Sequence, residues 1–307
     1  MLKRVIITGA SGFIGRALSK YLYENGYEII ALSRNPNKNR KLLSEGMVVG
    51  WDGESSNEWE EYLEGSYGII NLAGENIGTG RWNRIKKRSI LESRLNAGNA
   101  VINAIGNVTK KPKVLIQASA IGYYDLYSDE ILNEYSESGR SFLSEVCRQW
   151  EISTEKAESY NVRRIIIRSG IVLGQNGGVF PRLHVQFKMF FGGYFGSGKR
   201  WLSWIHINDE IRAIRYLLED ESSGIFNLTA PEPIIIKDFC HILGNLTKRP
   251  SWLSIPSSLI RLFFGEMGEE ILLSSQRVFP KRLLEKGFRF HYQDIESALK
   301  EIINVEN

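Results

Sequence analysis

The sequence predicts an α/β protein: a doubly wound parallel sheet carrying a smaller, mostly helical C-terminal lobe. Three observations predict it. A β-branched run at residues 5–7 ends in a glycine turn and passes directly into a helical pattern. Short apolar runs bounded by turn residues then alternate with helical stretches as far as residue 170, the order of a parallel sheet with crossover helices. Beyond Gly170 the composition shifts to glycine loops with aromatic and basic residues, followed by amphipathic helices.

The first turn reads Thr8-Gly9-Ala10-Ser11-Gly12-Phe13-Ile14-Gly15, and apolar residues at Phe13, Ile14, Ala17, Leu18, Tyr21 and Leu22 form one helix face. Strand, glycine turn and helix in this order make a dinucleotide phosphate site. Gly9 permits the sharp turn, Gly12 brings no Cβ against a pyrophosphate, and Gly15 lets the helix lie close to the strand. The unpaired N–H groups of the first turn, near Phe13 and Ile14, then face the anion.

A second strand at residues 27–32 ends at Ser33-Arg34, where a site that prefers NAD carries an acid. A guanidinium there pairs with a 2′-phosphate, so NADP(H) is the expected cofactor. A third strand at 47–51 precedes Asp52, a neighbour for the adenine. A fourth at 68–71 ends in the small residues Leu72-Ala73-Gly74, with Glu75 and Asn76 at the mouth. Residues 82–105 read as a long helix. Its basic residues, Arg81, Lys86, Lys87, Arg88 and Arg94, form mainly a solvated face from which one or two reach the cofactor. A fifth strand at 113–118, a helix at 142–161 and a sixth strand at 163–168 complete a dinucleotide-binding domain of residues 1–170. Residues 171–307 form the substrate lobe, and a strand at 224–228 offers to return to the sheet. Further helices are expected at 209–219, 237–246, 256–264 and 295–303.

Bulk properties narrow the function. The 307 residues are 43% hydrophobic and 24% charged, with a net charge of +4. The basic residues are dispersed, which argues against nucleic acid and suits a small anionic ligand. Cys147 and Cys240 are too few for a disulfide framework and point to a reducing cytoplasm. No apolar run approaches the ~18 residues of a membrane span. No metal-ligand spacing and no G-x-S-x-G elbow occurs, so neither a metal site nor a serine hydrolase is expected.

The glycine spacing with a preceding Thr resembles the extended, epimerase-like branch of the short-chain dehydrogenase/reductases. That resemblance implies a Rossmann-type domain, a Ser after the fifth strand, and a Tyr-x-x-x-Lys pair on the next helix. Ser119 matches the first. Cys147 and Glu151 stand where the pair belongs, and no Tyr-x-x-x-Lys occurs in the chain. Ser119-Ala120-Ile121-Gly122-Tyr123-Tyr124, Cys147-x-x-Trp150-Glu151, Arg168-Ser169-Gly170, Ser203-Trp204-Ile205-His206 and the tail from Phe264 to Phe288 resemble a narrower subgroup. These are the atypical epimerase-family proteins with a C-terminal domain of unknown function, which here covers about residues 250–300. The resemblance implies NADP(H) binding and names no substrate.

With the pair missing, Tyr123 or Tyr124 is the expected proton donor beside Ser119, with a bound water as fallback. Cys147 reads as a buried thiol with its pKa raised by Glu151, and His206 as a capping or core histidine. Arg168 is placed with the cofactor residues. Two functions stay open, an NADP(H)-dependent oxidoreductase or epimerase and a cofactor-binding sensor without chemistry, as a monomer or a homodimer. A charged hydrogen bond of about 1.5–3 kcal/mol at Arg34 gives roughly a tenfold to hundredfold preference for NADPH over NADH. Calorimetric titration of both nucleotides against wild type and Arg34→Ala measures it. The preference should vanish in the variant, and equal wild-type affinities contradict the assignment.

Overall fold

The structure is a computed structural model that describes residues 2–40, 46–56 and 59–304. Seven strands form one parallel sheet: β1 (Lys3–Thr8), β2 (Tyr27–Ser33), β3 (Met47–Gly50), β4 (Gly68–Asn71), β5 (Val114–Ala120), β6 (Arg163–Ser169) and β7 (Gly224–Leu228). Their spatial order is β7-β6-β5-β4-β1-β2-β3, so the chain winds outward twice from β1. The strand at 224–228 does return, pairing in parallel with β6 from Gly224↔Ile165 to Leu228↔Ser169.

Alternation along the strands sorts the two faces. Val5 and Ile7 pack with Leu18 and Leu22 of α1 (Phe13–Glu24) and with Ile211, Ile214 and Leu217 of a later helix. Ile6, Ile69 and Leu115 point the other way, onto Ala97, Ala100, Val101 and Ala104 of α2 (Arg84–Asn107). Small side chains on α2 let it lie close. The helix α2 starts two residues later than the periodicity suggests, because the Asn83 side chain caps it by accepting from Lys86 N at 2.8 Å.

The helix expected over 142–161 is shorter. It ends as α3 (Phe142–Ile152), and a 3₁₀ segment, Glu155–Tyr160, follows. Ser153 and Thr154 cause the break: their hydroxyls donate back to the carbonyls of Trp150 and Glu151, in competition with helix continuation. The fourth helix against the sheet is α4 (Ile207–Glu219), entered through the short strand Trp204–His206. His206 caps it, its Nδ1 accepting from Asn208 N at 3.1 Å while Nε2 lies 2.8 Å from Glu301.

The C-terminal part combines helices with two-stranded ribbons. One ribbon, Tyr127–Leu132 with Ser275–Val278, ties the tail of the chain back to the half that carries the parallel sheet. Phe13 makes a second tie: its ring fills the loop at Gly174, Gly177 and Gly178, where any Cβ would come within 3.1 Å of it.

Gly15 explains the close seating of α1. A Cβ there would sit 2.3 Å from the Gly9 carbonyl oxygen. Alanine normally gains about 1 kcal/mol over glycine inside a helix. At Gly15 the overlap should reverse the sign, costing about 1–3 kcal/mol. Urea unfolding of Gly15→Ala checks this, and a stabilised variant contradicts the packing.

Candidate functional site

The carboxyl ends of the parallel strands gather the predicted residues along one edge of the sheet, the place where ligands bind in open α/β folds. At the end of β1, Gly9 has φ +65°, and a Cβ there would sit 2.8 Å from the Leu72 carbonyl group. Gly12 opens α1 with no side-chain cap, and no acid stands in the first turn. Ser11 and Gly12 are exposed, while Phe13, Ile14 and Gly15 present the first-turn N–H groups. An anion fits there on charge and on hydrogen bonding.

Thr8 has a different part from the contact its motif position suggests. It is fully buried, donates to Asn71 Oδ1 at 2.5 Å and accepts from Leu72 N and Ala73 N at 3.1 and 3.2 Å. Asn71 continues the chain to Gln117 at 2.8 Å, so Thr8 fastens the ends of β1, β4 and β5 together.

Further along the edge, Ser33 is buried and accepts from Asn35 N and Asn39 Nδ2, which shapes the turn and leaves Arg34 exposed beside it. Asp52 folds its own loop by accepting from Glu54 N and Ser55 N, and those bonds hold its carboxyl below the ordinary range. Glu75 pairs with Lys86 at 2.6 Å, and that bond, with the Arg34 and Arg94 charges nearby, keeps it ionised. Gly74 lies over Arg94, whose guanidinium carbon would meet a Cβ there at 3.0 Å. Arg81 is exposed and rests against Gly265 of the C-terminal segment.

At the end of β5 the structure corrects the expected chemistry. Ser119 is buried and donates to Glu151 Oε1 at 2.6 Å. Arg168, expected to meet the cofactor, turns inward: it is 1% exposed and grips both Glu151 oxygens at 2.8 Å. Its remaining terminal nitrogen donates to the Tyr124 hydroxyl at 3.1 Å. Tyr124 is fully buried and donates to Asn227 Oδ1 at 2.7 Å, with burial pushing its pKa up to about 12. Tyr123 lies under the Arg168 guanidinium, 3.3 Å from ring centre to carbon, and faces a separate depression with Glu134 and Arg148. Neither phenol faces the cavity described next, because the 3₁₀ turn Ile121–Tyr123 swings both away from it.

That cavity, of about 230 Å³, opens between the two halves of the molecule. The ends of β5 and β6 and the helix α3 supply Ala120, Gly122, Val146, Cys147, Trp150 and Ser169. The opposite wall is Trp201, Leu202, Ile236 and the tail residues Ile271, Leu272 and Gln276. Cys147 stands on the first of these walls, beside Ser119, with its thiol pushed up to about 11 by burial and by Glu151. Arg94 also lines the cavity. Sequence reading put Arg94 on a solvated face, and burial now disfavours its charge. Gly74, whose missing Cβ leaves room for the guanidinium, is the signal in the sequence that could have found it.

The family model for the NAD dependent epimerase/dehydratase family matches residues 5–229, and one for a domain of unknown function, DUF1731, matches residues 255–302. The chain belongs to the NAD dependent epimerase/dehydratase family. It is 38% identical to the Arabidopsis thaliana protein named epimerase family protein SDR39U1 homolog, chloroplastic, over 97% of this chain and 86% of that one. It is 37% identical to epimerase family protein YfhF of Bacillus subtilis, over 97% of each. Among solved structures, human epimerase family protein SDR39U1, crystallised with NADPH, superposes with a TM-score of 0.89 at 30% identity. That match covers 98% of this chain and 99% of the human one. UDP-glucose 4-epimerase of Thermotoga maritima, at 16% identity and a TM-score of 0.81 over 98% of this chain and 97% of its own, shares the fold. Where the resemblance implies a Tyr–Lys pair, this chain has Cys147 and Glu151, and Glu151 is the centre of a buried hydrogen-bond cluster.

Glu210 sits behind the cavity wall. It is fully buried, accepts from Ser169 at 2.6 Å, leaves its other oxygen unpartnered, and has its pKa pushed up to about 8 by burial. A pKa raised by folding stabilises below the unfolded value, and that contribution is lost as pH rises through 8. Wild type should therefore lose about 1.4 kcal/mol per pH unit between those values relative to Glu210→Gln. Denaturant unfolding of both proteins at pH 5, 6.5 and 8 gives the difference directly; a gap that stays constant contradicts a proton on Glu210.

Proposed function

We propose that this chain is an NADP(H)-dependent oxidoreductase or epimerase acting on a small molecule held in the cavity between its halves. The observation that carries the reading is the position of that cavity: its inner wall is the carboxyl end of β5 and β6, and Arg94 links it to Gly74 on the cofactor edge. Bound NADP(H) would supply the hydride donor or acceptor. The first turn of α1 would take the pyrophosphate, Arg34 the 2′-phosphate and Asp52 the adenosine end, with Leu72, Ala73 and Gly74 beneath the cofactor. The NADPH named with the human relative supports the choice of nucleotide.

The chain's own acid in the cavity is Cys147. A thiol with a pKa of about 11 is protonated at neutral pH, so it serves as a proton donor to a developing oxyanion and not as a nucleophile. Ser119, between the thiol and Glu151, holds it in place. The second reading, a cofactor-binding sensor, is favoured by one specific fact: Ser119, Tyr124, Glu151 and Arg168 are locked to one another.

Incubating the protein with NADPH deuterated at C4 and a metabolite extract separates the two. The oxidoreductase reading expects deuterium to pass into a small molecule, and expects no transfer with Gly12→Val, whose methyl groups block the pyrophosphate. Tight NADPH binding with the label fully retained would favour the sensor.

A further inference from the structure

The polar groups that line the cavity are almost all spent inside the protein. The Glu270 carboxylate accepts from Phe142 N and Leu143 N at 3.0 and 2.8 Å, closing the start of α3. Gln276 Nε2 donates to the carbonyls of Ile121, Tyr124 and Asp125. Ser203 donates to the Gln276 carbonyl and accepts from Val278 N, and Ser169 is held by Glu210. Both terminal nitrogens of Arg200 go to the carbonyls of Leu272 and Phe195. What faces the space between them is apolar: Trp150, Trp201, Leu202, Ile236 and Ile271.

Arg94 differs. One terminal nitrogen donates to the carbonyls of Glu75 and Ile90, at 3.1 and 2.8 Å, and the other lies towards Gly74. The guanidinium stacks 4.8 Å from the Trp150 ring, and among the described residues no carboxylate is hydrogen-bonded to it. Arg94 is half-buried, burial disfavours its charge by more than the nearby Glu75 carboxylate supports it, and an anionic partner in the cavity would restore the balance. A nucleoside-diphosphate sugar fits poorly. Its several hydroxyls would meet walls that are mostly apolar and offer few free partners, the Cys147 thiol and Arg200 Nε among them, at a cost for each group left unpaired. The cavity also falls below the ~300–1,000 Å³ of pockets for drug-sized ligands.

We infer that the cavity takes a compact, largely apolar monocarboxylate, with its acid group on Arg94 and its tail between Trp201 and Ile236. This deepens the oxidoreductase reading by naming the substrate class, and it rests on that reading only in calling the bound molecule a substrate.

Calorimetry with trans-cinnamate, octanoate and UDP-glucose, on the protein with and without NADP⁺, tests it. At least one of the two carboxylates should bind, and UDP-glucose should not. Arg94→Gln should weaken the carboxylate by about tenfold to hundredfold, the loss of a charge-assisted bond. Ile236→Trp, which fills the cavity and leaves Arg94 in place, should abolish it, so that the test does not depend on one variant folding. UDP-glucose binding in place of the carboxylates, no carboxylate binding, or binding indifferent to both variants overturns the inference. NADPH titration of the same wild-type sample judges the cofactor reading separately: its failure would overturn that reading while the carboxylate result still stands.

Discussion

The buried pair between Arg168 and Glu151 decides the chemistry left to this site. Two charges removed from water are tolerable only when each satisfies the other and their remaining hydrogen bonds are met. Both oxygens of Glu151 are taken by Arg168, and Ser119 adds a third bond; Arg168 in turn spends its last nitrogen on Tyr124. The pair therefore clamps β5, β6 and α3 together and reaches β7 through Asn227. Removing one partner leaves a bare charge in the interior, a defect of about 3–5 kcal/mol. The same arrangement takes both nearby phenols out of use, because the Tyr124 hydroxyl already donates to Asn227 and accepts from Arg168, and Tyr123 is held beneath the guanidinium. A carboxylate at position 151 cannot lower a neighbouring acid's pKa as a lysine would. The cavity is left with a neutral thiol.

The C-terminal segment, residues 255–302 of which match a domain of unknown function, has a clear structural part. Its strand Ser275–Val278 pairs with Tyr127–Leu132, Glu270 caps α3, and Gln276 gathers three carbonyls of the turn after β5. Glu270 joins the tail to the helix that carries Cys147, and Gln276 joins it to the turn that follows Ser119. The segment is thus a wall of the cavity and a brace for the site, not an appendage.

Much of the fold was legible in the sequence because it is written in local patterns. The β-branched runs, the glycine spacing and the period of α1 and α4 each specify their element without reference to the rest of the chain. The return of residues 224–228 to the sheet was readable for the same reason. The site was less legible where a residue's meaning depends on which face it occupies. Arg168 and Ser169 are neighbours on one strand and point to opposite sides of the sheet, so one meets Glu151 and the other Glu210. Arg94 shares a helix with the exposed Arg84 and Arg88 and is half-buried where Gly74 and Trp150 lie against it. Tyr123 and Tyr124 leave the correct strand, yet a single 3₁₀ turn redirects them. These outcomes depend on contacts between elements, which no local pattern records.

A crystal structure with NADPH tests the central claim most directly, that the cofactor edge and the apolar cavity form one site. The account predicts the phosphates at the first turn of α1, the adenosine 2′-phosphate at Arg34, and the nicotinamide at the cavity mouth. Its reactive carbon should lie within about 5 Å of Cys147 Sγ, allowing for a substrate between them, with Arg168 still on Glu151. A nicotinamide seated away from the cavity, or an Arg168 withdrawn from Glu151 to reach the cofactor, would contradict it.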